Sequence, residues 1–362
     1  MIASASQLAQ LLSQIEPFER VAIDTEADSL HCYREKLCLL QLSVSVNRTD
    51  SSRGEPGGDY LVDPLAKVDL APLSVALEKK EIVVHGADFD LRLMRRTFNF
   101  KAQRIFDTVI AARLLGIREF SLAALVQRYF GVELSKGSQK ANWAQRPLPQ
   151  RMLEYAINDT RYLIPLAEKL GTELQQIGRL DWFKQSCQRA LEQSLIDRVR
   201  DAEEAWRIAG AGKLRGRAAA VLRALWHWRE TEAQAADRPP FHILQNQELL
   251  RSAESFAAGV GVDYRHFSPR RRQTFCDAAE RALQSPETEW PVTRRRFGIR
   301  PTPEVVRRSD QLRDRRDRVT GDLGLEPAFL AARSALEAIA ADPASASTLL
   351  VPWQRQLLHL PE

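Results

Sequence analysis

"VAIDTEADSL", residues 21–30, runs an apolar, strand-like segment straight into an acid, a hydroxyl and a second acid. Alternate residues of a β-strand share a face, so Asp24 and Glu26 project to the same side. Two carboxylates that close, at an apolar strand end, repel each other and lose solvation unless a cation bridges them. Two readings stand at this point: a metal-binding pair, or Asp24 capping a turn with Glu26 in solvent.

Working outward, "RVAID" and "LCLLQLSVSV" (37–46) read as strands, and "NRTDSSRGEPGGD" (47–59) as a polar loop, mobile at its tip, that joins two hairpin strands. "YLVDP" is the third strand, "APLSVALEKK" a helix and "EIVVHGA" a fourth strand. "DFDLRLMRRTF" is a helix, and "RIFDT" is a short strand leading into the helix "VIAARLLG". From Ser121 the pattern is helical: first "SLAALVQRYFG", with Gly131 as its C-cap, then "PLPQRMLEYAINDTRYLIPLAEKLGTELQQIG". Three adjacent strands followed by strand–helix alternation imply an α/β domain, a mixed sheet flanked by helices. Beyond about residue 200 strand patterns vanish. "GRAAAVLRALWHWRETEAQAADRPP" places Val221, Leu222, Leu225 and Trp226 on one helical face, and Pro239 and Pro240 end it. Two more helices, "NQELLRSAESF" and "SPRRRQTFCDAAERALQS", follow. A proline-punctuated linker (285–303) leads to a last helical piece. The expected domains are residues 1–175, 205–287 and 300–362, the latter two small and all-α.

At 362 residues with 44% apolar content, two or three domains can each bury a core. No uncharged apolar run reaches the length of a membrane span, and no basic segment precedes an apolar stretch at the N-terminus, so neither a transmembrane helix nor a signal peptide is expected. Cys32, Cys38, Cys187 and Cys276 form no CxxC pair. Even with His31 beside Cys32, free thiols in a reducing cytoplasm are the reading, rather than a zinc site. The net charge of +5 is uneven: residues 1–180 carry +1 and the remainder +4. Arginine comes in runs, "SPRRR" (268–272), "TRRRFGIR" (293–300) and "VVRRSDQLRDRRDR" (305–318). Clustered arginine suits a polyanionic partner, and solvated helix faces with interspersed acids are the plainer alternative.

Further acids accompany the first pair. Asp88 and Asp90 lie early in the helix after the fourth strand, where one of them can cap it. In "LEYAINDTRYL", Tyr155 and Asp159 are one turn apart on the same helical face. An acid beside Ile157, Tyr162 and Leu163 is out of place in a packing face.

DTE at the end of the first strand, His85 with Asp90 five residues on, and Tyr155 with Asp159 on a late helix together resemble the DEDDy 3′–5′ exonucleases, which have a ribonuclease H-like fold. "DTEADSLHCYREKLCLLQLS" and "SLAALVQRYFGVELSKGSQKANWAQRPLPQRMLEYAINDTRYL" look like the ribonuclease D branch, and the resemblance spans residues 1–170. The helical region near 206–285 is similar to the HRDC (helicase and RNase D C-terminal) domain, and the last 60 residues to a second, more divergent HRDC-like unit. The resemblance implies that Asp24, Glu26, Asp90 and Asp159 hold two divalent cations, Mg²⁺ or Mn²⁺. Tyr155 then positions the attacking water and the second ion steadies the leaving 3′-oxygen. Oxygen-only ligands favour those metals over zinc, and two such ions supply both needs of phosphodiester hydrolysis. Asp90 is preferred to Asp88 by its spacing from His85, and Asp107 falls at a structural position.

The activity so implied is 3′–5′ exoribonuclease action releasing 5′-mononucleotides in the cytoplasm. RNA is the partner, tRNA precursors included, with no membrane and no obligate protein partner. The alternatives are a DNA 3′–5′ exonuclease and a catalytically inactive RNA-binding adaptor. The lack of a GxxxxGK[ST] motif beside the HRDC-like tail favours RNA. For substrate contacts, Tyr33 and Phe89 offer rings to stack on bases, Lys140 and Arg146 offer charges to phosphates, and His31 lies beside the first motif. Each stands against a packing, capping or surface role. Trp143 reads as a core anchor, and His85 as a packing group at its strand end.

Overall fold

The computed structural model describes residues 1–44, 57–135, 137–197, 201, 203–292 and 301–361; most of the polar loop expected over 47–59, with the tip expected to be mobile, and the arginine run at 293–300 lie outside these residues. The described residues divide into two compact units. One takes in Met1–Asp28, Lys36–Asp197 and Arg300–Glu362, and the other Ser29–Glu35 and Arg198–Ile299.

The first unit is built on five strands: β1 (Arg20–Ala27), β2 (Leu37–Val44), β3 (Gly58–Val62), β4 (Glu81–Val84) and β5 (Arg104–Asp107). Their order in the sheet is β3-β2-β1-β4-β5. β1, β2 and β3 pair antiparallel, whereas β4 and β5 add in parallel beside β1. Each parallel strand arrives through a helical crossover, as parallel pairing requires. β1 is therefore central, and every residue of β2 is buried, which is why "LCLLQLSV" reads as an almost continuous apolar run.

Helices cover both faces: α1 (Ala5–Ile15), α2 (Ala71–Glu78), α3 (Asp88–Phe98), α4 (Thr108–Leu114), α5 (Leu122–Phe130), α6 (Gln150–Arg161), α7 (Leu163–Gln176) and α8 (Leu180–Ser194). The single long helical pattern beginning at residue 147 divides at Tyr162. Pro165 has no N–H to offer the Arg161 carbonyl, and its ring crowds that carbonyl, so the ladder stops there. α6 is thereby freed to lie across the β1–β3 face on a small core of Leu39, Leu61, Trp143, Met152 and Ala156.

The turn between β4 and α3 is held by Asp107, at the end of β5. Its Oδ1 accepts from the backbone N–H groups of Gly86 (3.1 Å) and Val109 (2.8 Å), and its Oδ2 from that of Ala87 (2.9 Å). One carboxylate thus caps α4 and fixes the start of α3. Gly86 has a φ of +87°, which a side chain would oppose.

The second unit is all-α: α9 (Gly216–Ala235), α10 (Pro240–Ile243), α11 (Asn246–Ala257) and α12 (Pro269–Gln284). They enclose Trp206, Leu222, Leu225, Trp228, Phe256 and Phe275. Pro240 opens α10 just past the end of α9, where the sequence places a stop. Tyr33 packs on this core, its hydroxyl hydrogen-bonded to Glu230 (3.2 Å) and its backbone N–H to Asp237 (3.2 Å).

The C-terminal helices are α13 (Pro303–Leu323), α14 (Pro327–Leu330), α15 (Arg333–Ala341), α16 (Ala346–Leu349) and α17 (Pro352–Leu357). Where the sequence suggests a domain of their own over 300–362, they share one apolar core with the sheet. Trp353 stacks on Trp182 of α8 with ring centroids 5.0 Å apart. Part of the arginine run of α13 is committed inside this unit. Arg308, Arg315 and Arg316 donate to the carbonyls of Ala340 (3.0 Å), Leu358 (2.7 Å) and Ala331 (3.1 Å), satisfying oxygens that helix ends leave without partners. Among the described residues no helix is long and apolar enough to cross a membrane.

Replacing Asp107 by alanine removes the acceptor shared by α4 and the β4–α3 turn. Stability measured by urea unfolding is expected to fall by about 3 kcal/mol, and a loss below about 1 kcal/mol would show that water substitutes for the carboxylate.

Candidate active site

The two-residue period of β1 sets Asp24 and Glu26 side by side, and α6 brings Asp159 over them. Carboxylate oxygens of these three residues all lie within 4.8 Å of one another. α6 is pinned one residue further on, where the buried Thr160 hydroxyl meets Ser43 of β2 at 2.7 Å. Asp90 approaches from the first turn of α3 and is held by the residue between the strand's two acids. The Thr25 hydroxyl donates to its Oδ1 at 2.5 Å.

Burial is the main force on every acid here. It pushes the Asp24 carboxyl well above the usual carboxylate range, and the charges of Asp90, Asp159 and Glu26 push it further. Glu26 rises to about 9, through burial and then the charges of Asp159 and Asp90. Asp159 rises to about 7 through burial, against the lowering effect of the Tyr155 hydrogen bond. Asp90 rises to about 6, burial again outweighing its hydrogen bond from Thr25. Burial followed by the charge of Asp159 raises the Tyr155 phenol. Such a cluster ionises fully only when positive charge arrives. Its donors are carboxylate oxygens alone, which suit a hard divalent cation. Among the described residues no other group of three or more histidines, cysteines or acids could hold a metal ion.

The remaining expected residues are placed as follows. Tyr155 lies one turn before Asp159 and is hydrogen-bonded to it, with the buried Trp143 ring at 6.0 Å. Asp88 is ion-paired with Arg92 on the outer side of α3. Phe89 is 46% exposed at the start of α3, and Lys140 is exposed. His31 and Tyr33 belong to the second unit. His85 Nδ1 lies 2.8 Å from the Thr108 hydroxyl, and burial lowers its pKa. Arg146 forks onto Asp63 through Nε (2.8 Å) and Nη2 (2.7 Å) and bonds the carbonyls of Cys38, Trp143 and Gln145. All five of its N–H donors are therefore engaged within the protein, leaving none for a phosphate. Thr25, Ser43 and Thr160 were not legible as site residues. Small hydroxyls on strand or helix carry no motif, and only the fold shows what they hold.

Residues 1–175 match the 3′–5′ exonuclease family, and residues 218–257 match the HRDC domain. Fold and site thus define a 3′–5′ exonuclease domain of ribonuclease H-like architecture joined to an HRDC domain. The ribonuclease D of Escherichia coli is 31% identical over 267 residues, 72% of this chain and 67% of that protein. The chain belongs to the ribonuclease D family. The ribonuclease D of Sphingobium indicum is 31% identical over 253 residues, 69% of this chain; the match spans 62% of that protein, less than two thirds of its length. The crystal structure of Escherichia coli RNase D, described as an exoribonuclease involved in structured RNA processing, superposes with a TM-score of 0.71 at 25% identity, covering 99% of this chain and 97% of the other.

The raised acids give a pH test. Their folded pKa values lie above the unfolded ones, which are near about 4. Their contribution is therefore fully present below that pH and is lost as pH rises through about 6, 7 and 9. In EDTA the melting temperature is expected to fall between these limits, and Mn²⁺ is expected to restore it most at the alkaline end. Superimposed melting curves with and without Mn²⁺ at alkaline pH would contradict this.

Proposed function

We propose that this chain is a metal-dependent 3′–5′ exoribonuclease that removes 5′-mononucleotides from RNA 3′ ends, tRNA precursors among them. The observation that carries the reading is the meeting of Asp24, Glu26 and Asp159 within 4.8 Å at the end of the central strand. Asp24, Glu26, Asp159 and Asp90 would hold two divalent cations, Mg²⁺ or Mn²⁺. Such ions, when bound, supply activation of the attacking water and charge neutralisation at the leaving 3′-oxygen. Tyr155 keeps its proton at neutral pH, since its phenol is pushed up, so it orients water by hydrogen bonding instead of accepting a proton. Asp159 fixes the direction of that hydroxyl, and Trp143 supports the ring. A terminal 3′-hydroxyl held near Glu26 would make the action exonucleolytic. The four free cysteines, three of them buried, accord with a reducing cytoplasm.

A groove of about 570 Å³ between α9 and α12 supports RNA as the partner. Its floor is alanine (Ala220, Ala224, Ala278, Ala282), and Arg223, Arg270, Arg281 and His227 stand along it. The carboxylate of Glu232 is taken by Arg271 (3.0 Å), while Arg270 and Arg281 have no carboxylate partner among the described residues. Such a track suits a phosphodiester backbone read by charge.

Asp24→Asn or Asp159→Asn is expected to reduce hydrolysis by at least about a thousandfold without lowering stability in EDTA, since like-charge repulsion is relieved. Tyr155→Phe should slow it by about a hundredfold with cation binding retained. Near-normal turnover of either Asn variant would remove those acids from the chemistry. Assays on 3′-labelled tRNA precursor and single-stranded DNA, each with Mg²⁺ or EDTA, decide the substrate. Preference for DNA would favour the DNA nuclease, and binding without hydrolysis an inactive adaptor. Removing Arg270 and Arg281 together should lower the salt slope of RNA affinity by about 1.4 and leave dinucleotide hydrolysis unchanged. An unchanged slope would place the RNA elsewhere.

A further inference from the structure

Gln41 has no accessible surface, and neither atom of its side-chain amide has a hydrogen-bond partner among the described residues. Buried amides find partners as a rule, so an orphaned one in the middle of a strand asks for a reason. Its neighbours Leu39, Leu40 and Leu42 are all apolar and fully buried. An apolar residue at this position would suit the packing better.

The register supplies the reason. Gln41 pairs with Asp24 across β1 and β2, and with Leu61 across β2 and β3. Residues directly opposite in an antiparallel pair share a face of the sheet. The two-residue period also puts Gln41 on the face of Ser43, whose hydroxyl meets Thr160 of α6. The amide therefore lies beneath α6, beside Asp24, on the face that carries the acidic trio. Carboxylates abound there and donors are few. Asp24 accepts from the Thr25 backbone, and the Thr25 hydroxyl is spent on Asp90.

We propose that Gln41 is a positioning residue of the cation site, its Nε2 donating to the ionised Asp24 carboxylate once a divalent cation is bound. Groups that hydrogen-bond a ligating carboxylate set its orientation and the affinity of the site. A neutral amide does this without adding charge. Lysine or arginine would compete with the cation, and glutamate would add to the repulsion. The inference rests on the acidic trio being a cation site.

The test compares the unchanged protein with Gln41→Met, and with Gln41→Leu as a second variant of similar volume. Two readouts on EDTA-stripped protein are needed: Mn²⁺ affinity by calorimetry, and melting temperature without metal. The expected result is Mn²⁺ affinity weakened by about 10–100-fold, with the metal-free melting temperature equal to or above that of the unchanged protein. Unaltered affinity would overturn the proposal. A lowered metal-free melting temperature, or failure of both variants to fold, would overturn it as well, because the amide would then serve the fold. Failure of the unchanged protein itself to bind Mn²⁺ would overturn the cation reading and this inference with it.

Discussion

Mutual repulsion among carboxylates withdrawn from water at the end of β1 is the constraint on which the rest of this structure depends. Asp24, Glu26, Asp90 and Asp159 are gathered where burial alone raises every one of their pKa values. Left to themselves such groups would move apart or remain protonated. They stay together because rigid elements hold them. The central position of β1 fixes two, the Ser43–Thr160 contact seats α6 and its Asp159, and Thr25 with Asp107 settles Asp90 through the start of α3. The fold supplies the force, and the site stores it as an affinity for positive charge.

Much of this could be read before any coordinates. The apolar runs mark the five strands, the parity of Asp24 and Glu26 puts them on one face, and Tyr155 and Asp159 fall one helical turn apart. These are local signals with short periods, and they survive in the folded chain. What escaped depends on distant partners. Pro165 splits a helical pattern that looks continuous, because apolar periodicity does not register a missing N–H. Helix α1, capped by the Ser4 hydroxyl, carries no functional motif to announce it.

Charge was the least transparent property. Arginines that suggest a polyanion in the sequence divide into different roles in space. Those of α13 at 308, 315 and 316 close helix ends, Arg271 and Arg272 pair with Glu232 and Asp263, and Arg270 stays without a carboxylate partner among the described residues. Arg146 is the clearest case: its charge suggests a phosphate ligand, yet Asp63 and three carbonyls occupy its fork. Tyr33, a candidate stacking ring, has its hydroxyl on Glu230. A residue type announces what a side chain can do, and only its neighbours decide what it does.

If cations relieve the repulsion at β1, their arrival must displace protons that the crowded acids retain. Calorimetric titration of Mn²⁺ into EDTA-stripped protein at about pH 7.5, repeated in buffers of different ionisation enthalpy, counts those protons directly. The expected result is release of at least one proton per protein as Mn²⁺ binds, since Glu26 is pushed up to about 9, above that pH. Tight binding with no proton released would mean that the acids are already ionised without metal, and would contradict the account.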